Sequence, residues 1–280
     1  MKKILKFVAA AAMATLAWMP AQAQDKSVKI GTMGWEDEKT ITLVTKKFLE
    51  KQGYKVDVTE FSEWGIAFAA LEKKDVDLMV ALPDYVTSDY WQKNRKKLEK
   101  VSVVSYGNYQ TLAVPSYMKI DSIDQLNTVS DQVGGKIIGI EPGSGIMRDA
   151  ARAVDEYKLN YQIVEGSTAA MVAQLQSAIE RKEPIVTMLW DPSWMMHKFD
   201  VKFLKDPKKV FPPTQSYYWI ANKGFSAQNP ELRANISTVF LPIGDIGQMC
   251  IEMADGKTAE QAADDWWAAN TSVVEKWSIQ

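Results

Sequence analysis

Ser27-Val-Lys-Ile-Gly-Thr-Met33, then Gly34-Trp35-Glu36-Asp37-Glu38, then Lys39 to Gln52 is the stretch that decides the fold class. The first run reads as a strand and the second as a loop. The third places Ile41, Val44, Phe48 and Leu49 on one helical face, and Gly53 is a helix stop. A strand feeding a helix through a short loop is the unit of a layered α/β fold. The unit recurs outward. Tyr54 to Thr59 is a strand with alternating Val56 and Val58. Ser62 to Lys74 is a helix, and Val76 to Ala81 a buried strand. Val103 to Pro115 is a long extended segment. Lys136 to Ile140 is a strand, Glu141-Pro-Gly-Ser-Gly145 a turn, and Ile146 to Tyr157 a helix. Met171 to Arg181 is a further helix, and Ile185 to Leu189 a strand ending at Trp190. Ser216 to Ala221 is extended again, and Thr258 to Trp277 closes the chain as a helix pair. The middle of the chain reads as an insertion. Residues 24–113 plus 214–280 are expected to build one α/β lobe and residues 114–213 a second. Two extended crossovers join them as a hinge, and such clamps close around a ligand in the cleft.

The first residues read as an address. Lys2, Lys3 and Lys6 precede an apolar run from Phe7 to Met19, and Ala21-Gln22-Ala23 is a small-x-small cleavage site. Residues 1–23 are therefore expected to be a signal peptide cleaved after Ala23, which sends the protein to the periplasm. The single cysteine, Cys250, is far from that site, so neither an acylated mature N-terminus nor an internal disulfide is expected. The formal net charge is −2, and loss of the leader's lysines makes it more acidic. That balance leaves no electrostatic footprint for nucleic acid.

Enzymatic readings find little support. The chain has one histidine, His197, on an amphipathic stretch after Trp194-Met195-Met196, where it reads as a surface or satisfied core residue. With one histidine and one cysteine there is no nucleophile–base device and no transition-metal motif. No phosphate-binding GxxxxGK[ST] loop occurs, and Glu36-Asp37-Glu38 lacks the spaced oxygen ligands of a calcium loop. No catalytic residue, cofactor or metal is expected.

Aromatic residues carry the signal instead. Of ten tryptophans, Trp64 shares a helical stripe with Ala67, Phe68 and Leu71 and reads as core. Trp35 and Trp190 differ. Each lies at the end of a predicted strand, where open α/β sheets bind ligands, and each is followed by acids: Glu36 and Asp37, and Asp191. An indole face beside carboxylates suits a bulky cation with no hydrogen-bond donors, such as trimethylammonium. The turn Glu141 to Gly145, opening a helix at Ile146, presents free amides suited to a carboxylate. Together these would hold a zwitterion.

The same residues carry a family resemblance. The segments are Trp35 with its acids, Asp75-Val-Asp77, Tyr90-Trp91, Leu112-Ala-Val-Pro-Ser-Tyr117, Gly135-Lys-Ile-Ile-Gly-Ile-Glu-Pro-Gly-Ser-Gly-Ile-Met147, Glu165-Gly-Ser-Thr-Ala-Ala-Met171, Trp190-Asp-Pro-Ser-Trp194 and Asn222-Lys-Gly-Phe225. The chain resembles the substrate-binding proteins of glycine betaine/choline ABC importers over nearly its whole mature length. The resemblance implies a type II periplasmic binding fold of two α/β lobes with a two-segment hinge. It implies a monomer that captures a small quaternary-ammonium ligand, glycine betaine or choline-like, for permease and ATPase subunits at the inner membrane. It puts Trp35 and Trp190 on two cage tryptophans, Ser144, Gly145 and Ile146 on the carboxylate-holding turn, and Asp37 where choline-type members place an acid near the cation. The chain departs from the family at Ala81-Leu82-Pro83-Asp84-Tyr85-Val86-Thr87. Leu82 stands at a third cage tryptophan and Thr87 near a family histidine. Tyr85, Tyr109, Tyr218 and Trp219 are candidates to replace the missing wall. The changed wall leaves room for another ligand, such as a carnitine, amine oxide, sulfonium or aromatic betaine. A ligand-sensing module for a membrane receptor is the other reading of the same scaffold.

Overall fold

The computed structural model describes residues 26–278; the expected signal peptide lies outside the described residues. Nine strands form one sheet: β1 (Ser27–Met33), β2 (Lys55–Phe61), β3 (Leu78–Ala81), β4 (Leu98–Pro115), β5 (Lys136–Ile138), β6 (Gln162–Val164), β7 (Thr187–Asp191), β8 (Val201–Phe203) and β9 (Gln215–Asn222). The order is β2-β1-β3-β9-β4-β7-β5-β6, with β8 against β4. β1 runs parallel to β2 and β3, and β5 parallel to β6 and β7, while β9 and β4 are antiparallel to their neighbours. The parallel sets need helical crossovers. Those around the site are α1 (Glu36–Lys51), α2 (Trp64–Lys73), α3 (Ser88–Asn94), α4 (Gly145–Glu156) and α5 (Thr168–Arg181).

β4 organises the molecule. Leu98 to Asn108 pairs with β9, whereas Tyr109 to Pro115 pairs with β7 and β8. Three register shifts lie along the β9 side, the last between Tyr106 and Asn108. Bulges bend a strand and raise its twist, and Gly107 adopts φ +113° at the bend, so β4 leaves one set of strands and enters another. Apolar burial divides at the same place. A central core draws its buried residues only from Leu112 to Phe211. Two outer cores draw theirs from Val28 to Val104 and from Tyr217 to Trp277. Ile41, Val44, Phe48 and Leu49 of α1 are all fully buried in an outer core, as the periodicity predicts. The closing pair Ala259–Ala269 and Thr271–Trp277 docks through Trp266 and Trp277, stacked at 5.8 Å.

Two local expectations change. Glu36-Asp37-Glu38 is not a loop but the first turn of α1, with Trp35 as N-cap. Acids are favoured there because the first turn offers unpaired N–H groups and the positive end of the helix dipole. Trp190 lies within β7, opposite Gln110 of β4, because the strand continues to Asp191. His197 is exposed on a short helix, Met195–Lys198. Among the described residues no helix is long and apolar enough to cross a membrane, and no cluster of three or more His, Cys, Asp or Glu is placed to hold a metal ion.

Candidate ligand-binding site

The strand and helix ends converge on one cleft. Trp35 follows β1, Leu82 follows β3 and Ile140 follows β5. Trp64 opens α2, Gly145 opens α4, and Trp190 comes from the end of β7. Asn108 and Gln110 reach in from β4 at its change of partner. Among the residues expected from the sequence, Trp35, Asp37, Leu82, Ser144, Gly145, Ile146 and Trp190 are brought together here.

Trp35 is the pivot. It packs against both the central core and an outer core. Its ring lies 5.7 Å from that of Trp64, tilted by 41°, so the two indoles make a corner of π faces. The Trp35 indole N–H donates to Thr168 Oγ1 at 3.2 Å. Thr168 in turn donates its hydroxyl to Glu141 Oε2 at 2.7 Å and its backbone N–H to Glu141 Oε1 at 2.9 Å. The ring is thereby held across the cleft by the start of α5. Trp64 is core, 2% exposed, and also a wall of the cleft. Its stripe predicts the first role. The second depends on which strand lies beside β1 and is invisible to helical spacing.

The opposite wall is the start of α4. Ser144 turns its hydroxyl back to the Glu141 carbonyl at 2.9 Å rather than capping the helix. The first-turn amides, including Gly145 and Ile146, therefore have no side-chain cap, and such groups with the helix dipole favour an anion. Gly145 faces Val86 backbone to backbone. A Cβ there would overlap the Val86 carbonyl oxygen and sit 2.7 Å from its Cα. Glycine is required by this approach and not by backbone conformation. Arg148, one turn along α4, crosses the same gap to Asp89 at 2.7 Å and to the Tyr85 carbonyl at 2.8 Å.

The cleft floor is acidic. Asp37 and Glu38 are 5% and 2% exposed. Tyr217 donates its hydroxyl to Asp37 Oδ2 at 2.5 Å, and Asn108 Nδ2 donates to the Tyr217 oxygen at 2.8 Å. Burial pushes the Asp37 carboxyl up to about 7, against the lowering effect of the Tyr217 bond and with the help of the Glu36 charge. Burial and the neighbouring Asp37 push Glu38 well above the carboxylate range. Among the described residues no lysine or arginine forms an ion pair with either.

Five expected residues stand elsewhere. Tyr109 packs edge-on against Phe203 at 5.4 Å and lines, with Tyr85, a separate recess around Arg148 and Asp149. Successive strand residues face opposite ways, so Tyr109 cannot share the cleft of Asn108 and Gln110. Tyr85 is 41% exposed and offers the chain only its backbone carbonyl. Trp219 is fully buried in an outer core, and the Tyr218 ring is covered by the Lys100 ammonium at 4.0 Å. Thr87 is fully buried outside the cleft wall. The residues that sequence reasoning missed are Trp64, Glu38, Val86, Asn108, Gln110 and Ile140. Strand alternation could have found Asn108 and Gln110 once one of them was placed.

Residues 26–269 match the family model described as the substrate-binding domain of ABC-type glycine betaine transport systems. The glycine betaine/carnitine transport binding protein GbuC of Listeria monocytogenes is 36% identical over 158 residues. That alignment covers 55% of this chain and about half, 53%, of the relative. The glycine betaine/proline betaine-binding periplasmic protein of Escherichia coli is 23% identical over 84% of each chain. Among solved structures, lactococcal OpuAC, closed on glycine betaine, superposes with a TM-score of 0.85 at 29% identity, covering 90% of this chain and 99% of that one. An ABC-transporter choline-binding protein in complex with choline gives 0.80 at 24% identity over 90% and 91%, a likeness of fold.

Proposed function

The chain belongs to the family of substrate-binding domains of ABC-type glycine betaine transport systems, a family of ligand-binding transport proteins rather than enzymes, and we propose its function on that basis: an exported binding protein that delivers a small methylated ammonium compound to an ABC importer. The cation lies in the corner of Trp35 and Trp64 and against Trp190. A carboxylate, where the ligand has one, lies on the Gly145 and Ile146 amides. The observation that carries this reading is the cleft itself: three indoles, two buried acids without a counter-cation, and an uncapped helix start share one space.

Residues 24–113 with 214–280, and residues 114–213, are the two lobes of the proposal. The division of the buried cores supports it. The hinge is β4 near Asn108 together with the stretch between β8 and β9. The Gly145–Val86 approach and the Arg148 bonds are then contacts of the closed form, and closure is driven by whatever the ligand gains there beyond the open form. The expected export follows from the leader and agrees with the periplasmic relative.

Intrinsic tryptophan fluorescence titrated with a panel of methylated ammonium compounds tests the proposal. Trp35→Ala and Trp190→Ala are each expected to weaken binding by at least ~1 kcal/mol, the worth of an indole face on a desolvated cation. Unchanged affinity in both variants would remove the cage. Trp64 takes the place of the wall that Leu82 lacks. Trp64→Leu is therefore expected to weaken binding about five- to tenfold, whereas Leu82→Ala costs less. The reverse order, read by calorimetry on folded variants, would return the third wall to position 82.

A further inference from the structure

Two motifs of the chain, the turn from Glu141 to Gly145 and the stretch from Glu165 to Met171, meet at one side chain of the cleft, the indole of Trp35. Trp35 belongs to residues 24–113 and both motifs to residues 114–213, so the meeting spans the two proposed lobes. The indole N–H donates to Thr168 Oγ1 at 3.2 Å. Neither Thr168 nor Glu141 lines the cleft. Any influence they have on a ligand there passes through Trp35.

The direction of these bonds is fixed. A hydroxyl has one proton to give and two lone pairs. Thr168 gives its proton to Glu141 Oε2 at 2.7 Å, and its backbone N–H holds Glu141 Oε1 at 2.9 Å. Toward Trp35 the hydroxyl can then only accept. Its bond to the carboxylate is of the stronger, charge-assisted kind, and bonds in a chain polarise one another, which makes the oxygen a better acceptor. Glu141 thus aims Thr168, and Thr168 aims the indole.

The three indoles of the cleft are held differently. Trp64 is 2% exposed and packs edge-on against Phe68 of its own helix at 6.2 Å. Trp190 is buried within β7. Trp35 is only partly buried, stands where β1 turns into α1, and packs against the central core as well as an outer one. Its N–H bond and part of its packing come from the facing side of the cleft.

We propose that Thr168, aimed by Glu141, is a positioning residue that sets the Trp35 ring as the clamp closes, so that closure itself completes the aromatic corner for the cation. This rests on the binding function proposed above and adds how that site is assembled. A cation gains from an indole only when it stands over the ring face, and a ring held from across the cleft keeps its face to the ligand for as long as the lobes stay together. The ligand meets the open form, in which the bond is not made. The effect therefore falls on release and not on encounter.

Calorimetry and stopped-flow tryptophan fluorescence on the full mature chain, with glycine betaine and choline as probes, test the assignment. Thr168→Val keeps the shape of the side chain and the amide bond to Glu141 but offers the indole no acceptor. It is expected to weaken binding about three- to tenfold, the range for one neutral hydrogen bond, through faster dissociation at an unchanged association rate. Thr168→Ser keeps the hydroxyl and is expected to bind within about twofold of wild type. Beside Trp35→Phe, whose ring has no N–H, Thr168→Val is expected to cost nothing further. Unchanged affinity in Thr168→Val overturns the inference. So does a loss that Thr168→Ser shares, that persists in full beside Trp35→Phe, or that lies in the association rate, because Thr168 would then not act by holding the indole in the closed form. Each of these leaves the proposed function standing. Binding of neither probe by the wild-type chain overturns the proposed function itself, and this inference with it.

Discussion

Gly145→Ala is expected to weaken ligand binding about 5- to 150-fold, the penalty of about 1–3 kcal/mol for forcing a methyl into a closed contact, while leaving the free protein's melting temperature almost unchanged. The added Cβ would meet the Val86 carbonyl oxygen, Cα and carbonyl carbon. These are backbone atoms on one side and a helix start on the other, so neither can swing aside as a long side chain would. In the proposed open form the two surfaces separate and the methyl meets nothing. The variant is therefore expected to fold normally and to lose the ligand-induced compaction. Small-angle scattering with and without ligand, beside calorimetry, reads both. Wild-type affinity in Gly145→Ala would mean that the protein does not close on this contact. Loss of stability in the free protein would mean that the contact is permanent rather than part of closure.

Asp37→Asn is expected to make the free protein more stable at pH 8 and a poorer binder at the same time. The Asp37 carboxyl is raised to about 7 in the folded state, chiefly by burial, against about 4 in an unfolded chain. A raised acid binds its proton more tightly when folded. Its stabilising contribution is complete below pH 4 and is lost as the pH climbs through about 7. The gap between variant and wild type in urea unfolding is therefore expected to open between about pH 4 and about pH 7 and to level above that, reaching on the order of a few kcal/mol. Binding has the opposite sign. A cation prefers the ionised acid, so wild-type affinity is expected to rise with pH toward 7 and to level above it. The groups that share this field are Glu36 and Glu38 on α1, Tyr217 on β9, Asp191 on β7 and the buried Cys250 thiol on the helix Ile243–Ala254, itself pushed up by burial and by these acids. An affinity flat from pH 5.5 to 8, or a stability gap between variant and wild type no larger at pH 8 than at pH 4, would refute the account. A binding site that is costly when empty is a common way to couple ligand capture to a conformational equilibrium.

Much of this was legible in the chain. Helical spacing put Ile41, Val44, Phe48 and Leu49 into the core, and the placement is correct. Strand-end position and the family resemblance selected Trp35 and Trp190, the turn before Ile146 and the acid Asp37, and all of them meet in one cleft. Strand parity, which spacing along the chain does not reveal without a partner strand, turns two of the candidate wall residues away from the cleft. Tyr109 sits between two residues that face the cleft, and Tyr218 alternates with buried Tyr217 and Trp219. Nothing local could rescue Trp64. Its helical stripe is a true core stripe, and its second role exists only because α2 starts beside the residue that follows β1.

The amino-acid sequence by itself determined the layered α/β class, the interrupted order of its elements and the two indoles with an acid beside them. Those features rest on periods of two and 3.6 residues, on turn chemistry and on short motifs, all of which act within a few residues along the chain. Only the tertiary structure decided the company these residues keep: Trp64 against Trp35, Glu38 and Asn108 beside Asp37, and Val86 so near Gly145 that only glycine fits. These contacts join strands and helices through the order β1-β3-β9-β4-β7-β5. That order is set by non-local pairing and burial, whose partners lie tens to more than a hundred residues apart and leave no mark in any one window of sequence.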